Sequence, residues 1–219
     1  MSIWKDAPPG RVDTSLMKIE PVTLEGRHIR LEPLTLEHHP QLCEVGLDED
    51  LWRWIPFPVR TPAEMRIYIE MALKTQTEGT ALPFATLERA SGKVIGSTRF
   101  GNIDTINRHV EIGWTWIGRN WQQTMVNTEA KYLMLCHAFE ILGCLRVEFK
   151  TDSLNQQSRN AIARIGAKEE GLFRNHMITA SERIRHSVYY SIIDSEWPEV
   201  KAGLEEKLTR RYPMKLEVR

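Results

Sequence analysis

Ile29 and Leu31 alternate with Arg30 and Glu32 before Pro33, a period of two that predicts a first strand with one buried face. A helical region is expected from about Thr35. Thr61-Pro62-Ala63-Glu64 is a capping box with proline at the first helical position, and Met65, Tyr68, Ile69 and Ala72 follow at helical spacing toward an end near Gly79. Strand-like runs at 82–87, 94–100 and 109–117 come next, with turns at Ser91-Gly92 and Gly101-Asn102, and they predict an antiparallel meander. A long, broadly apolar helix spans 127–142, and Leu145, Val147, Phe149 and Thr151 then alternate with Arg146, Glu148 and Lys150. This strand, helix, strand order predicts a crossover with parallel strands. A helix over 156–165, strands at 168–174 and 186–193, and a last helix from Asp194 or Ser195 complete an α/β domain with a mixed sheet. The final helix has the stripe Trp197, Val200, Lys201, Leu204 and Leu208.

Composition narrows the partners more than the fold. The 219 residues suit one compact domain, with residues 1–18 as an extended arm and 19–212 as the folded part. Lys+Arg and Asp+Glu are equal at 29 each, so no whole-chain field would attract nucleic acid or an anionic membrane. Cys43, Cys136 and Cys144 form no CxxC pair and read as packing residues in a reducing compartment. No leader and no membrane-length apolar run is evident, so the expected location is the cytoplasm. His38-His39 has no third ligand at metal spacing, and no metal is expected.

Most of the chemistry lies between residues 111 and 167. Glu111-Ile112-Gly113-Trp114 is followed by Arg119 and a helix reading Thr128-Glu129-Ala130, then by the basic-flanked strand 146–151, Asn155-Gln156-Gln157-Ser158 and Ile165-Gly166-Ala167. In this order the chain resembles the GNAT superfamily, especially its branch of ribosomal-protein N-terminal acetyltransferases, over roughly residues 19–198. The resemblance implies a single domain whose twisted, mostly antiparallel sheet is flanked by helices. It also implies acetyl-CoA as co-substrate, direct transfer to a primary amine of a protein N-terminus or small molecule, and a homodimer.

A helix start offers unpaired N–H groups and the positive end of a dipole to an anion. The family's loop reads Q/R-x-x-G-x-G/A, and the matching positions are Gln122, Gln123, Thr124, Met125, Val126 and Asn127. Gln122 keeps the first position, whereas Met125 and Asn127 replace the small residues. The resemblance makes Gln122, Thr124, Met125, Val126, Asn127 and Thr128 the pyrophosphate cradle, with Trp116 and Ile117 on the strand beside the thioester. An ordinary capped helix is the structural alternative. The missing glycines also suggest a different function, a non-catalytic acyl-CoA-binding sensor or interaction module.

Ser158, Ala161, Ile162 and Ile165 share one helical stripe, which turns Ser158 inward near the helix start. Asn155 as an N-cap and Ser158 as a backbone-bonding serine account for both residues. The resemblance instead gives Asn155 the pantetheine arm and makes Ser158 the acid that protonates the departing thiolate. Glu111 falls out of phase with Val110, Ile112, Trp114 and Trp116, sharing a face with Gly113 and Thr115. It is either a solvated strand carboxylate or a general base, with His109 as the competing base. Trp52, Trp54 and Phe57 resemble the acceptor-lining segment of the family, and a loop folded over its own aromatics explains them equally well.

Overall fold

A computed structural model describes residues 17–211. The expected arm therefore lies outside the described residues except at its end, where Met17 is buried in the core. Eight strands form the sheet: β1 (Leu24–Glu25), β2 (Ile29–Pro33), β3 (Leu82–Glu88), β4 (Val94–Asp104), β5 (His109–Ile117), β6 (Arg146–Asp152), β7 (Lys168–Ile178) and β8 (Ile184–Ile193). Their spatial order is β1-β2-β3-β4-β5-β6-β8-β7, antiparallel everywhere except at the β5–β6 junction. The helices are α1 (His39–Gly46), α2 (Pro62–Thr77), α3 (Val126–Cys136), α4 (Gln156–Arg164) and α5 (Trp197–Arg211).

The elements follow from local chemistry. Thr61 accepts the Glu64 amide at 3.2 Å while Glu64 accepts the Thr61 amide at 3.1 Å, so both halves of the α2 capping box form. The crossover β5-α3-β6 joins two parallel strands, as its length requires. Two apolar clusters cover the two faces of the sheet. Val110, Ile112, Val147, Phe149 and Tyr190 face α3 and α5, together with Met134, Trp197 and Leu204. Ala85, Leu87, Val94 and Trp116 face α1 and α2, together with Leu42, Trp52, Met65 and Ile69. The α5 stripe is thus spent on the chain's own core, where the Trp197 ring stacks on Phe139 at 5.2 Å. No helix among the described residues is long and apolar enough to cross a membrane.

Two departures from the sequence pattern matter. The Gly101-Asn102 turn does not form there: β4 continues to Asp104, Asn102 takes a left-handed backbone (φ 46°) at an irregularity, and the chain reverses at 105–108. The second departure is in β5. Ser97 pairs with Trp116 but Arg99 pairs with Gly113, so β5 carries one extra residue between these pairs, and Trp114 bulges there at φ 50°. A one-residue insertion reverses the faces beyond it. Trp116 therefore joins the α1/α2 cluster and not that of Val110 and Ile112, while Thr115 turns to α3. The expected sharing of a face by Glu111 and Thr115 is corrected accordingly.

Candidate active site

Strands β5 and β6 pair only at His109–Arg146, Val110–Val147 and Glu111–Glu148, although β5 continues to Ile117 and β6 to Asp152. β6 stays in register with β8 through Asp152, so β6 leaves β5 and an opening forms between them. The Gly118 amide donates to the Ile95 carbonyl of β4 at 2.8 Å. Because successive peptide groups point to opposite strand edges, Trp116 is turned toward β4 and Ile117 toward the opening. The Ile117 carbonyl there accepts Gln122 Nε2–H at 3.1 Å, leaving its amide on the open edge. The Trp116 ring is buried beside Trp52, with centroids 5.4 Å apart. Of the two strand positions expected at the thioester, Ile117 faces the opening.

The approach to α3 is pinned from several sides. Arg119 meets Asp48 at 2.8 Å and Asp50 at 2.7 Å, and Trp121 Nε1–H reaches Glu88 at 2.8 Å. Gln123 adopts a left-handed backbone at φ 58°, turning the chain into the helix. Thr124 donates to the Trp121 carbonyl at 2.7 Å and accepts the Val126 amide at 3.3 Å. Met125, at the N-cap, supplies no side-chain cap. Met125, Val126 and Thr128 are buried, so their side chains anchor the loop, while Asn127 Oδ1 is buried without a partner. Glu129 has a structural role that the sequence did not reveal. Its carboxylate accepts the Arg27 and His28 amides, the latter at 3.0 Å, and ties the β1–β2 hairpin to α3.

Beyond β6, Asn155 Oδ1 accepts the Ser158 amide at 3.0 Å, so Asn155 is the N-cap of α4. Ile162 and Ile165 are buried on the stripe that includes Ser158, and the Ser158 side chain is half-buried. The cap bond uses the serine amide and leaves its hydroxyl free of it.

Glu111 is not a solvated carboxylate. It is 3% exposed, accepts Asn102 Nδ2–H at 2.7 Å and lies 3.2 Å from Lys150 Nζ. It occupies the last paired position before the strands part. His109 instead lies 3.5 Å from Asp104 at the start of β5. The ammonium of Lys150 also stands 5.7 Å from the Tyr189 ring centroid, and that ring stacks on Phe173 at 4.2 Å. His176 Nδ1 is 3.0 Å from Ser187 Oγ, and burial with the nearby Lys150 and Arg185 cations holds its pKa below the usual histidine value. Trp54 joins this region through its carbonyl, which accepts from Arg185 at 3.3 Å, whereas Trp52 is core and Phe57 is exposed.

Two further buried cations escaped the sequence pattern. Lys131 on α3 donates to Thr115 at 2.6 Å, beneath the β5 bulge, and burial lowers its pKa to about 7. The guanidinium of Arg99 on β4 lies 5.1 Å from the ring centroids of both Tyr68 and Trp114. Burial raises the thiol pKa of Cys43, Cys136 and Cys144, the last to about 12, which makes them poor nucleophiles.

Residues 28–168 match the family model described as Acetyltransferase (GNAT) domain. The uncharacterized N-acetyltransferase p20 of Bacillus licheniformis is 26% identical over 176 residues, 80% of this chain and 98% of that relative. A GCN5-related N-acetyltransferase from Brucella melitensis has a crystal structure with a TM-score of 0.81 at 34% identity, covering 86% of each chain. RimJ of Mycobacterium smegmatis, in complex with CoA-disulfide, has a TM-score of 0.75 at 20% identity over 85% of this chain and 95% of its own, a likeness of fold alone. The chain thus belongs to the GNAT family of acetyltransferases, and its reaction class is acetyl-CoA-dependent N-acetyl transfer.

Proposed function

We propose that the protein acetylates a primary amine, either a protein N-terminus or a small molecule, by direct attack on acetyl-CoA held where β5 and β6 part. The observation that carries this reading is the position of Glu111, a buried carboxylate at the last paired residue before that opening. The α3 approach, with Gln122, Thr124, Met125, Val126, Asn127 and Thr128, cradles the pyrophosphate on backbone amides. Pantetheine lies along the open edge of β5, as an extended segment adds to a strand, and Asn155 offers it the amide hydrogens that capping leaves free. Glu111 takes a proton from the incoming ammonium, directly or through water. The nitrogen lone pair then forms the C–N bond, the Ile117 amide supports the carbonyl oxygen, the C–S bond breaks, Ser158 gives sulfur its proton, and the second proton that nitrogen sheds as the amide forms returns through water to the serine oxygen.

The free cysteines and the charge balance suit an enzyme of the cytoplasm without a nucleic-acid or membrane partner. Strand β7 is a long edge with Leu172, Phe173 and Ile178 exposed, which supports a homodimer that covers it. Isothermal titration with acetyl-CoA, followed by a free-thiol assay over N-terminal peptides and small amines, tests the catalytic reading. Binding with thiol release that depends on the amine is the expected result; thiol release at the same rate without any amine defeats it.

A further inference from the structure

Three cations on the sheet face that holds Glu111 have oxygen partners. Lys150 meets Glu111 at 3.2 Å, Arg183 pairs with Asp152, and Arg185 bonds Ser187 Oγ at 3.1 Å and the Trp54 carbonyl at 3.3 Å. Arg99 differs. It is only 5% exposed, its Nε has no hydrogen-bond partner, and no carboxylate pairs with it among the described residues. A buried Nε–H without an acceptor is costly to fold, and the nearby aromatic rings offset only part of that cost. The rings of Tyr68 and Trp114, each 5.1 Å from the guanidinium carbon, make cation–π contacts and give its N–H edge no oxygen acceptor. That edge carries the forked donors that match a carboxylate.

Its position is as informative as its isolation. Arg99 is the register partner of Gly113, and Glu111 Oε1 lies 3.0 Å from where a Cβ on Gly113 would stand. The Glu111 carboxylate thus leans over Gly113 toward Arg99, and the Trp114 ring lies over Gly101, the register partner of Glu111, 2.3 Å from where a Cβ there would stand. Opposite residues on one face of a sheet are roughly 5 Å apart and successive ones roughly 7 Å, so Arg99 and Glu111 are diagonal neighbours on this face. The Trp114 ring, 37% exposed at the bulge, borders the way in. Arg99 is also one strand removed from the β5–β6 opening, on β4, so the pyrophosphate cradle at α3 does not account for it.

We propose that Arg99 receives a carboxylate carried by the acceptor, so that the preferred substrate is an amine with an acidic group a few bonds from its reactive nitrogen. This rests on the acetyl-transfer reading above. The chemistry fits both a small amino acid and a peptide whose first residues include an acidic side chain. Binding the carboxylate at Arg99 would place the amine at Glu111 and select against neutral analogues, since a site built for a charged partner rejects one that lacks it.

The test is steady-state thiol release from acetyl-CoA with matched acceptors: an amino acid and its amide, and peptides with Asp or Asn as the second residue. Wild type, Arg99→Gln and Arg99→Lys are compared, with acetyl-CoA titration confirming that each variant is folded and binds co-substrate. The wild type should show a KM at least tenfold lower for the carboxylate member of one pair, and the pair that responds identifies the source. Arg99→Gln should bring the two KM values of that pair together with kcat changed less than threefold, and Arg99→Lys should recover part of the preference. Equal KM values within both pairs for the wild type, or a preference that survives Arg99→Gln, overturns the assignment while leaving acetyl transfer intact. Acetyl-CoA binding without thiol release to any acceptor overturns both.

Discussion

Lys150 Nζ lies 3.2 Å from Glu111 Oε2, across the junction where β5 and β6 cease to pair. The ammonium is the cation partner of a carboxylate that is almost fully buried, and Asn102 supplies a hydrogen bond to it at 2.7 Å. Glu111→Gln preserves the shape and removes the proton acceptor. It should lower kcat by roughly 10²–10⁴-fold with the acetyl-CoA dissociation constant within threefold of wild type. Lys150→Met should instead destabilise the fold by about 2–4 kcal/mol, because it leaves a buried carboxylate without its cation. If Glu111→Gln turns over at the wild-type rate, Glu111 is a structural partner of Lys150 and the base lies elsewhere.

Glu129 should prove structural despite its place inside the family motif. Its carboxylate bonds the Arg27 and His28 amides, and a Cβ on Gly26 would stand 2.6 Å from Glu129 Oε1. Glu129→Ala leaves two backbone donors of the hairpin without their acceptor and should cost about 2–3 kcal/mol. Gly26→Ala should lower the melting temperature by crowding the same carboxylate. Chemical denaturation gives both numbers, and a Glu129→Ala midpoint equal to wild type would show that the clamp contributes nothing.

Asn155 and Ser158 are adjacent in role but separable by experiment. Asn155→Ala removes the cap bond to the Ser158 amide, 3.0 Å long, and should cost about 1 kcal/mol of stability. Ser158→Ala keeps that amide and removes only the hydroxyl. It should leave the melting temperature within a degree or two while slowing kcat on the order of tenfold to a thousandfold. A Ser158→Ala enzyme with full turnover would assign sulfur protonation to water.

Local signals in the chain translated directly into structure. Thr61 with Glu64 and Asn155 before the α4 start both cap as their spacing requires, and the crossover from β5 to β6 is parallel. Alternation failed where the backbone departs from two-residue repetition. Trp114 takes φ 50° without being glycine, and no residue type announces that bulge, so Thr115 and Trp116 could only be assigned to the wrong faces. Strands β7 and β8 extend to Ile178 and from Ile184, beyond their apolar cores, because a hairpin ladder is held by backbone bonds whatever its side chains. Within the site, Glu111 was legible as the out-of-phase residue of an apolar strand. Arg99, Lys131 and Lys150 were not, since a periodic pattern shows which way a cation points and says nothing of whether a tertiary partner or a bulge will bury it.

Lys131 illustrates this and gives the pH-dependent prediction. Its ammonium contacts Thr115 at 2.6 Å and Thr98 at 3.4 Å, and burial lowers its pKa from 10.5 to about 7. Between those two values the unfolded chain holds a proton that the folded chain has released. Stability contributed by this site therefore rises with pH from about 7 to about 10.5, and the burial penalty is fully present below about 7. Lys131→Met should remove the penalty, since Thr98 and Thr115 already bond each other at 2.7 Å and neither hydroxyl is left stranded. At pH 6.5 the variant should gain on the order of 1–3 kcal/mol, a rise of roughly 3–10 °C in melting temperature for a domain of this size. At pH 9.5 most of that gain should be gone, because the wild-type lysine then pays little to be neutral. Thermal unfolding of both proteins at the two pH values decides the matter: a gain that is equal at both would show that Lys131 does not change its charge between them, and a loss at pH 6.5 would show that the charged lysine contributes stability through its two threonines.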